Sequence, residues 1–330
     1  MTVTPAAISV GLVGGGQMGA LHARIVAQSP GAELAFISDP DQERGEALAA
    51  LYDTKWIREV DGLDSCEALI IASPTETHFD LGTMALEGAK PVLIEKPLSE
   101  ELDQARALID VSRSLGVPMM CGFVERFNPA VITARKIIED PVFIQTLRHS
   151  PYPNRIRVGV AHDLVVHDVD LALRFANSRP STVSGTVAFL HPDSEAEDVI
   201  ELRIRFPTSA LASLSASRIS QQKIRSLSVC SLDRLVEADL LRQSVTVYRH
   251  VLGESSSSEP GGYRQETIID IPVVARGKEP LAEQFDHFLG LVDGTVDARS
   301  ELDSLLAPHE TIDAAMISAK SGSADQPIGG

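Results

Sequence analysis

Two rhythms of apolar residues run through this chain, and one gives way to the other near residues 120–140. In the first third, short apolar runs alternate with stretches of helical spacing. "AISVGLV" (7–13), "ELAFIS" (33–38), "ALIIAS" (68–73), "PVLIEK" (91–96) and "VPMMCGF" (117–123) read as buried strands, and 17–28, 41–51, 77–88 and 99–115 as helices. Strands alternating with helices predict right-handed crossovers and a doubly wound parallel sheet covered on both faces. Further on, "VIELRIRF" (199–206) sets Ile200, Leu202, Ile204 and Phe206 against Glu201, Arg203 and Arg205, the mark of a strand buried on one side. Similar runs near 182–190, 210–217, 224–231, 244–250 and 265–273 predict an antiparallel sheet. "GESSSSEPGG" (253–262) reads as a flexible loop between two strands, and two helices are expected near 280–292 and 300–320. The pattern predicts an α/β domain over 1–120, an α+β domain over 121–322 and a disordered tail over 323–330.

Composition narrows the partners. A formal net charge of −17 disfavours nucleic acid and anionic membrane, which both need a basic face. No apolar run approaches the length that spans a bilayer, and "MTVTPAAISVG" lacks the basic and apolar regions of a signal peptide. Cys66, Cys121 and Cys230 are widely separated with no C-x-x-C pair, which suits a reducing cytosol. A cytoplasmic protein is expected.

Directly after the first strand, "GLVGGGQMGALHA" carries Gly14-x-Gly16-x-x-Gly19 at the start of a helix. Such glycines let the backbone turn tightly and approach a pyrophosphate, with the helix N-terminus supplying positive potential. The alternative is a turn and nothing more. Asp39, twenty residues after Gly19 and at the end of the second strand, is placed to accept hydrogen bonds from an adenosine ribose. Its carboxylate would repel a 2′-phosphate, so NAD is expected over NADP; Arg44 and Lys55 are the cations that leave NADP open.

"HDLVVHDVD" (162–170) is the second concentration of chemistry. On a helix Asp163 and His167 share a face, with Asp170 close by. A carboxylate beside an imidazole can orient a general base; the same spacing also occurs in purely structural helices. Asp163, His167 and Asp170 could begin a metal shell, but no second cluster stands out to complete one, and no metal is expected.

With these elements in place, "ASPTETHFDLGTMALEGAKPVLIEKPLS" resembles the Gfo/Idh/MocA oxidoreductase family, through "SPTETH", the "EKP" signature at Glu95, Lys96 and Pro97, and Asp163-x-x-x-His167. The resemblance covers nearly the whole chain. It implies an N-terminal Rossmann domain followed by an α+β domain with a large open antiparallel sheet, and a cis Lys96–Pro97 bond. It further implies that Gly14, Gly16, Gln17, Met18, Gly19, Asp39, Ser73, Pro74, Thr75, His78, Glu95 and Lys96 line the cofactor. His22 and His78 read more simply as residues that cap or pack near it. By the same resemblance Lys96 hydrogen-bonds the reacting hydroxyl near the nicotinamide, His167 is the general acid–base, and Asp163 orients it and touches substrate.

"GFVERFNPAV" (122–131) and "SPYPNRIRVGVAHDLVVHDVDL" (150–171) are similar to the family branch that oxidises the 3-hydroxyl of UDP-N-acetylglucosamine. That likeness implies substrate contacts from Arg126, Asn128, Arg155, Asp163 and His167. Arg148, Arg155 and Arg157 could meet a diphosphate, or simply decorate an exposed strand. His162 departs from the branch, where an apolar or small residue is expected. The reaction expected is hydride transfer from a secondary hydroxyl of a sugar or sugar nucleotide to NAD; free sugars or cyclitols are the alternative substrates, and a non-catalytic dinucleotide sensor the alternative class. The resemblance and an open sheet with much apolar surface suggest a homodimer or homotetramer.

Overall fold

The computed structural model describes residues 7–60, 63–152, 158–192, 195–253, 264–275 and 277–328. The chain divides into two compact units, the first running to Val124 and including Lys278–His309, the second taking Glu125–Gly277 and the residues from Glu310 onward.

In the first unit the apolar runs form β1 (Ile8–Val13), β2 (Ala32–Ser38), β3 (Lys55–Ile57), β4 (Ala68–Ile71), β5 (Val92–Ile94) and β6 (Met119–Cys121), all parallel, in the order β3-β2-β1-β4-β5-β6. The order reverses beside β1, which is where a doubly wound sheet opens a crevice at its carboxyl edge. β4 and β5 are buried at every residue, as strands covered on both faces must be. Helices α1 (Gln17–Gln28), α2 (Gln42–Leu51), α3 (His78–Glu87) and α4 (Leu102–Leu115) make the crossovers. β3 has only three residues and went unread in the sequence, where so short a run has no periodicity to detect.

The second unit starts with α5 (Pro129–Ile137), which Asn128 caps by accepting from the Ala130 N–H. Its sheet comprises β7 (Phe143–His149), β8 (Thr182–Ala188), β9 (Val199–Arg205), β10 (Leu211–Ser217), β11 (Ile224–Cys230), β12 (Leu235–Asp239), β13 (Ser244–Gly253), β14 (Arg264–Asp270) and β15 (Gln326–Pro327), in the order β14-β13-β12-β11-β7-β10-β9-β8-β15. Every pairing is antiparallel except β7 with β10, so the sheet is mixed and largely antiparallel rather than antiparallel throughout. The helix α6 (Val166–Ala176) packs on β7 and β10 and is buried at almost every position.

Two expectations change here. Residues 278–309, expected in the second domain, group with the first unit, because helical periodicity marks a buried face without naming its partner. Within the expected disordered tail, Gln326–Pro327 pairs with β8. The outward positions of the second sheet mix polar residues, Gln145, Glu201, Arg203, Ser213, Ser226, Ser228 and Glu237 among them, with apolar ones that include Phe143, Leu147, Leu211, Ile224 and Leu235. The serine-rich loop expected over 253–262 lies, after Gly253, outside the described residues. Among the described residues no helix is long and apolar enough to cross a membrane.

Candidate functional site

At the carboxyl edge of the parallel sheet, β1 runs into Gly14, whose φ of 98° lies in the region that glycine alone adopts without strain. Gly19 faces the same turn from inside α1, where a Cβ would stand 1.8 Å from the Gly14 carbonyl oxygen. Gly16 differs: a Cβ there would meet nothing within 4 Å, so the open side of the loop is at this residue. Gly16 is also the N-cap of α1 and supplies no side-chain cap, which leaves the first N–H groups of Gln17, Met18 and Gly19 to be satisfied from outside the helix. A tight turn, a close helix and an uncapped N-terminus fit the pyrophosphate of a dinucleotide.

Asp39, 2% exposed, closes one side of this cradle. Oδ2 accepts from the Gly15 N–H at 2.7 Å and from Arg44 Nε at 3.0 Å; Oδ1 accepts from the Asp41 N–H at 2.8 Å and from Arg44 Nη2 at 2.7 Å. Burial by itself would push this carboxyl up, but Arg44 and the two backbone donors outweigh it and hold the group below its ordinary value. Lys55 points elsewhere, with its Nζ 5.9 Å from the centre of the Phe36 ring.

Ser73, Pro74 and Thr75 follow β4. Ser73 and Thr77 share a hydroxyl hydrogen bond of 2.6 Å, and the buried His78 sets its ring nitrogens 2.8 Å from the Pro97 carbonyl oxygen and 3.0 Å from that of Ser73. Glu95 is buried at the end of β5, its Oε1 2.8 Å from Nε2 of the fully buried His22, while Oε2 accepts from the Lys96 N–H at 3.3 Å. Lys96 is half-buried and its bond to Pro97 is cis. His309 then fixes the chain beyond the proline: its Nε2 accepts from the Leu98 N–H at 3.1 Å and its Nδ1 donates to the Leu305 carbonyl at 2.9 Å. No sequence signal pointed to His309, which stands 211 residues from Leu98. His22 and His78 act as packing residues, and both do so on the residues expected to line the cofactor.

In the second unit, Ala161–Val165 winds as a π-turn that runs into α6, with the Val166 N–H donating to the Ala161 carbonyl. The shared face read from an α-helical spacing of Asp163 and His167 is therefore altered by a wider turn, a feature frequent at functional sites. Asp163 is exposed, His162 half-buried and His167 buried. Glu197 caps the turn by accepting from the Ala161 N–H at 2.8 Å.

The other two aspartates of the segment hold the helix in place. Asp170 takes Arg126 in a bidentate pair at 2.9 and 2.6 Å, and Asp168 takes Arg148 at 2.9 and 2.9 Å, all four side chains being buried. Arg148 also donates to Glu125 at 2.9 Å, and Glu125 in turn accepts from Asn128 at 3.1 Å. Burial pushes Asp168 up and would lower Arg148, but Asp168 and Glu125 together raise the guanidinium and keep it charged. Arg126 and Asn128, expected at the substrate, are thus committed to α6 and to the cap of α5. Arg148, expected either to meet a diphosphate or to decorate an exposed strand, does neither, because β7 turns it inward. Arg155 and Arg157 lie outside the described residues. Arg225, unnoticed in the sequence, reaches toward Glu125 at 3.5 Å and is partly exposed on this side of the sheet. Among the described residues no group of three or more histidines, cysteines or carboxylates is arranged to hold a metal ion.

Known proteins share both units. A model of the oxidoreductase family with an NAD-binding Rossmann fold matches residues 8–123, and a model of the Gfo/Idh/MocA C-terminal domain matches residues 140–231. The UDP-N-acetylglucosamine 3-dehydrogenase of Acidithiobacillus ferrooxidans is 27% identical over 86% of this chain and 88% of its own. The NAD-dependent scyllo-inositol 2-dehydrogenase of Bacillus subtilis is 26% identical over 88% of this chain and 92% of its own. A solved structure of the Acidithiobacillus ferrooxidans enzyme superposes with a TM-score of 0.80 over 95% of this chain and 99% of that one, at 24% identity, a likeness of fold.

Proposed function

The chain belongs to the Gfo/Idh/MocA family of NAD-binding oxidoreductases, and from that premise we propose that it oxidises a secondary hydroxyl of a sugar or sugar nucleotide, with the 3-hydroxyl of UDP-N-acetylglucosamine the leading substrate. The observation that carries the reading is the company His167 keeps. A buried imidazole stands at the head of a helix pinned by two buried ion pairs, in the same chain as an open dinucleotide cradle.

The Gly14–Gly19 turn and Asp39 would hold NAD, whose nicotinamide would supply the hydride acceptor for the carbinol carbon. His167 takes the proton from the substrate hydroxyl, and Lys96 stabilises the developing alkoxide with its ammonium group. Asp163 orients the imidazole. Glu95 and His22 fix the backbone from which Lys96 projects, and the ion pairs of Asp168 and Asp170 fix the helix that carries His167. A sensor of dinucleotides would need the cradle alone and has no use for Lys96, Asp163 and His167 together.

The choice of the nucleotide sugar is supported by similarity to the Acidithiobacillus ferrooxidans enzyme along most of both chains. A second reading, a free sugar or cyclitol, is favoured by one observation: Arg148 is already neutralised by Asp168 and Glu125, which takes one cation away from a diphosphate. A panel of UDP-sugars, free hexoses and inositols, followed by NADH absorbance, decides between them. Turnover on UDP-N-acetylglucosamine above that on every free sugar and inositol upholds the first reading; the reverse order overturns it.

A further inference from the structure

A carboxylate offers about four lone-pair positions for hydrogen bonds. On Asp39 all four have a donor: the N–H groups of Gly15 and Asp41, and Nε and Nη2 of Arg44. A ribose diol brings two more O–H donors and needs two of those positions. Gly15 is fixed in the glycine turn and Asp41 at the N-cap of α2, so neither backbone donor can leave. Arg44 can. Its side chain is 48% exposed, against 2% for Asp39, and a second carboxylate stands ready for it, since Nη1 already lies 3.4 Å from Asp41 Oδ2.

We propose that Arg44 is the specificity-determining residue of the adenosine pocket: it competes with the ribose diol of NAD for Asp39 and serves as the cation for the 2′-phosphate of NADP. The proposal rests on the reading of Gly14–Gly19 and Asp39 as the dinucleotide cradle. For NAD, the guanidinium must leave Asp39 before the ribose hydroxyls can be accepted, so part of the binding energy is spent on displacing an ion pair. For NADP the guanidinium stays in place: its fork neutralises Asp39, whose charge would otherwise repel the phosphate, and its remaining N–H groups are free to donate to phosphate oxygens. Lys55, turned toward Phe36, is not the cation in question.

The test is calorimetric titration of the full chain with NAD and with NADP, comparing the unaltered protein with Arg44→Met and Arg44→Lys. Arg44→Met keeps the aliphatic stem and removes the competitor. Its Kd for NAD should fall about 2- to 5-fold, the worth of a half-exposed ion pair. Its Kd for NADP should rise about tenfold through loss of a charged hydrogen bond. Arg44→Lys, with a cation but no planar fork, should gain for NAD as the methionine variant does and hold NADP within a few-fold of the unaltered protein. Weaker NAD binding in both variants overturns the proposal, since Arg44 would then be an NAD contact or a support of the loop. Unchanged NADP binding in Arg44→Met overturns it equally. If the unaltered chain binds neither nucleotide, the reading of the cradle falls first and the proposal with it.

Discussion

The glycine cradle and the head of α6 solve the same problem, holding reactive geometry still, by opposite means. In the cradle, backbone does the holding: a turn at Gly14, a helix pressed against that turn at Gly19, and N–H groups aimed at one buried carboxylate. Its parts lie within about thirty residues of one another. At α6 the holding is done by side chains drawn from far along the chain, with Arg148 twenty residues from Asp168, Arg126 forty-four from Asp170 and Glu197 thirty-six from Ala161. The contrast teaches where each region is vulnerable. A backbone site fails when a side chain is added; a buried-charge site fails when one is removed.

The largest effect should come from the reacting groups. His167→Ala should lower turnover about 10²- to 10⁴-fold, the usual worth of general-base catalysis, with the Kd for NAD unchanged by calorimetry. Lys96→Ala should cost at least as much. Near-normal turnover in His167→Ala would make α6 a structural helix and break the contrast at its functional end.

Removing one member of a buried pair comes next. Asp170→Ala should destabilise the chain by about 3–5 kcal/mol in urea denaturation, because Arg126 is left charged and buried. Replacing both partners, Arg126→Met with Asp170→Leu, should recover much of that loss. A double variant as unstable as the single one would show that the pair is more than mutual neutralisation.

On the backbone side, Gly19→Ala puts a methyl group against the Gly14 carbonyl and should weaken NAD binding roughly tenfold, with the turn forced open. Titration with NAD measures it, and an unchanged Kd would show that the turn yields without cost.

The smallest effect is on acidification. Asp39 titrates below its ordinary 3.8: burial acts upward, and Arg44 with the Gly15 and Asp41 N–H groups acts downward more strongly. A depressed carboxyl contributes stability that is fully present above 3.8 and is lost as pH falls through the folded value. The thermal midpoint should therefore drop on acidification below that point, and Asp39→Asn should flatten this part of the profile. An identical acid limb in the variant would show that other carboxylates set it.

The sequence alone determined what is local. The parallel sense of the first sheet follows from short apolar runs alternating with helices, and the cradle follows from glycines within one turn of a helix and an acid at the next strand end. In each case the residues that act together are neighbours in the chain, so spacing carries the information. It also marked the catalytic candidates of "HDLVVHDVD", though not the π-turn that carries Asp163, since no pattern of apolar residues distinguishes one extra residue per turn. Only the tertiary structure decided which charges are spent on one another. Arg126, Asn128 and Arg148 look in the sequence like groups available to a substrate, and become internal once α6 lies on β7 and β10. Arg44 and Asp39 look like independent determinants of the cofactor and are in fact paired. The reason is physical: whether a charge is free depends on what neutralises it within a few ångströms, and in a folded chain that partner is often remote in sequence.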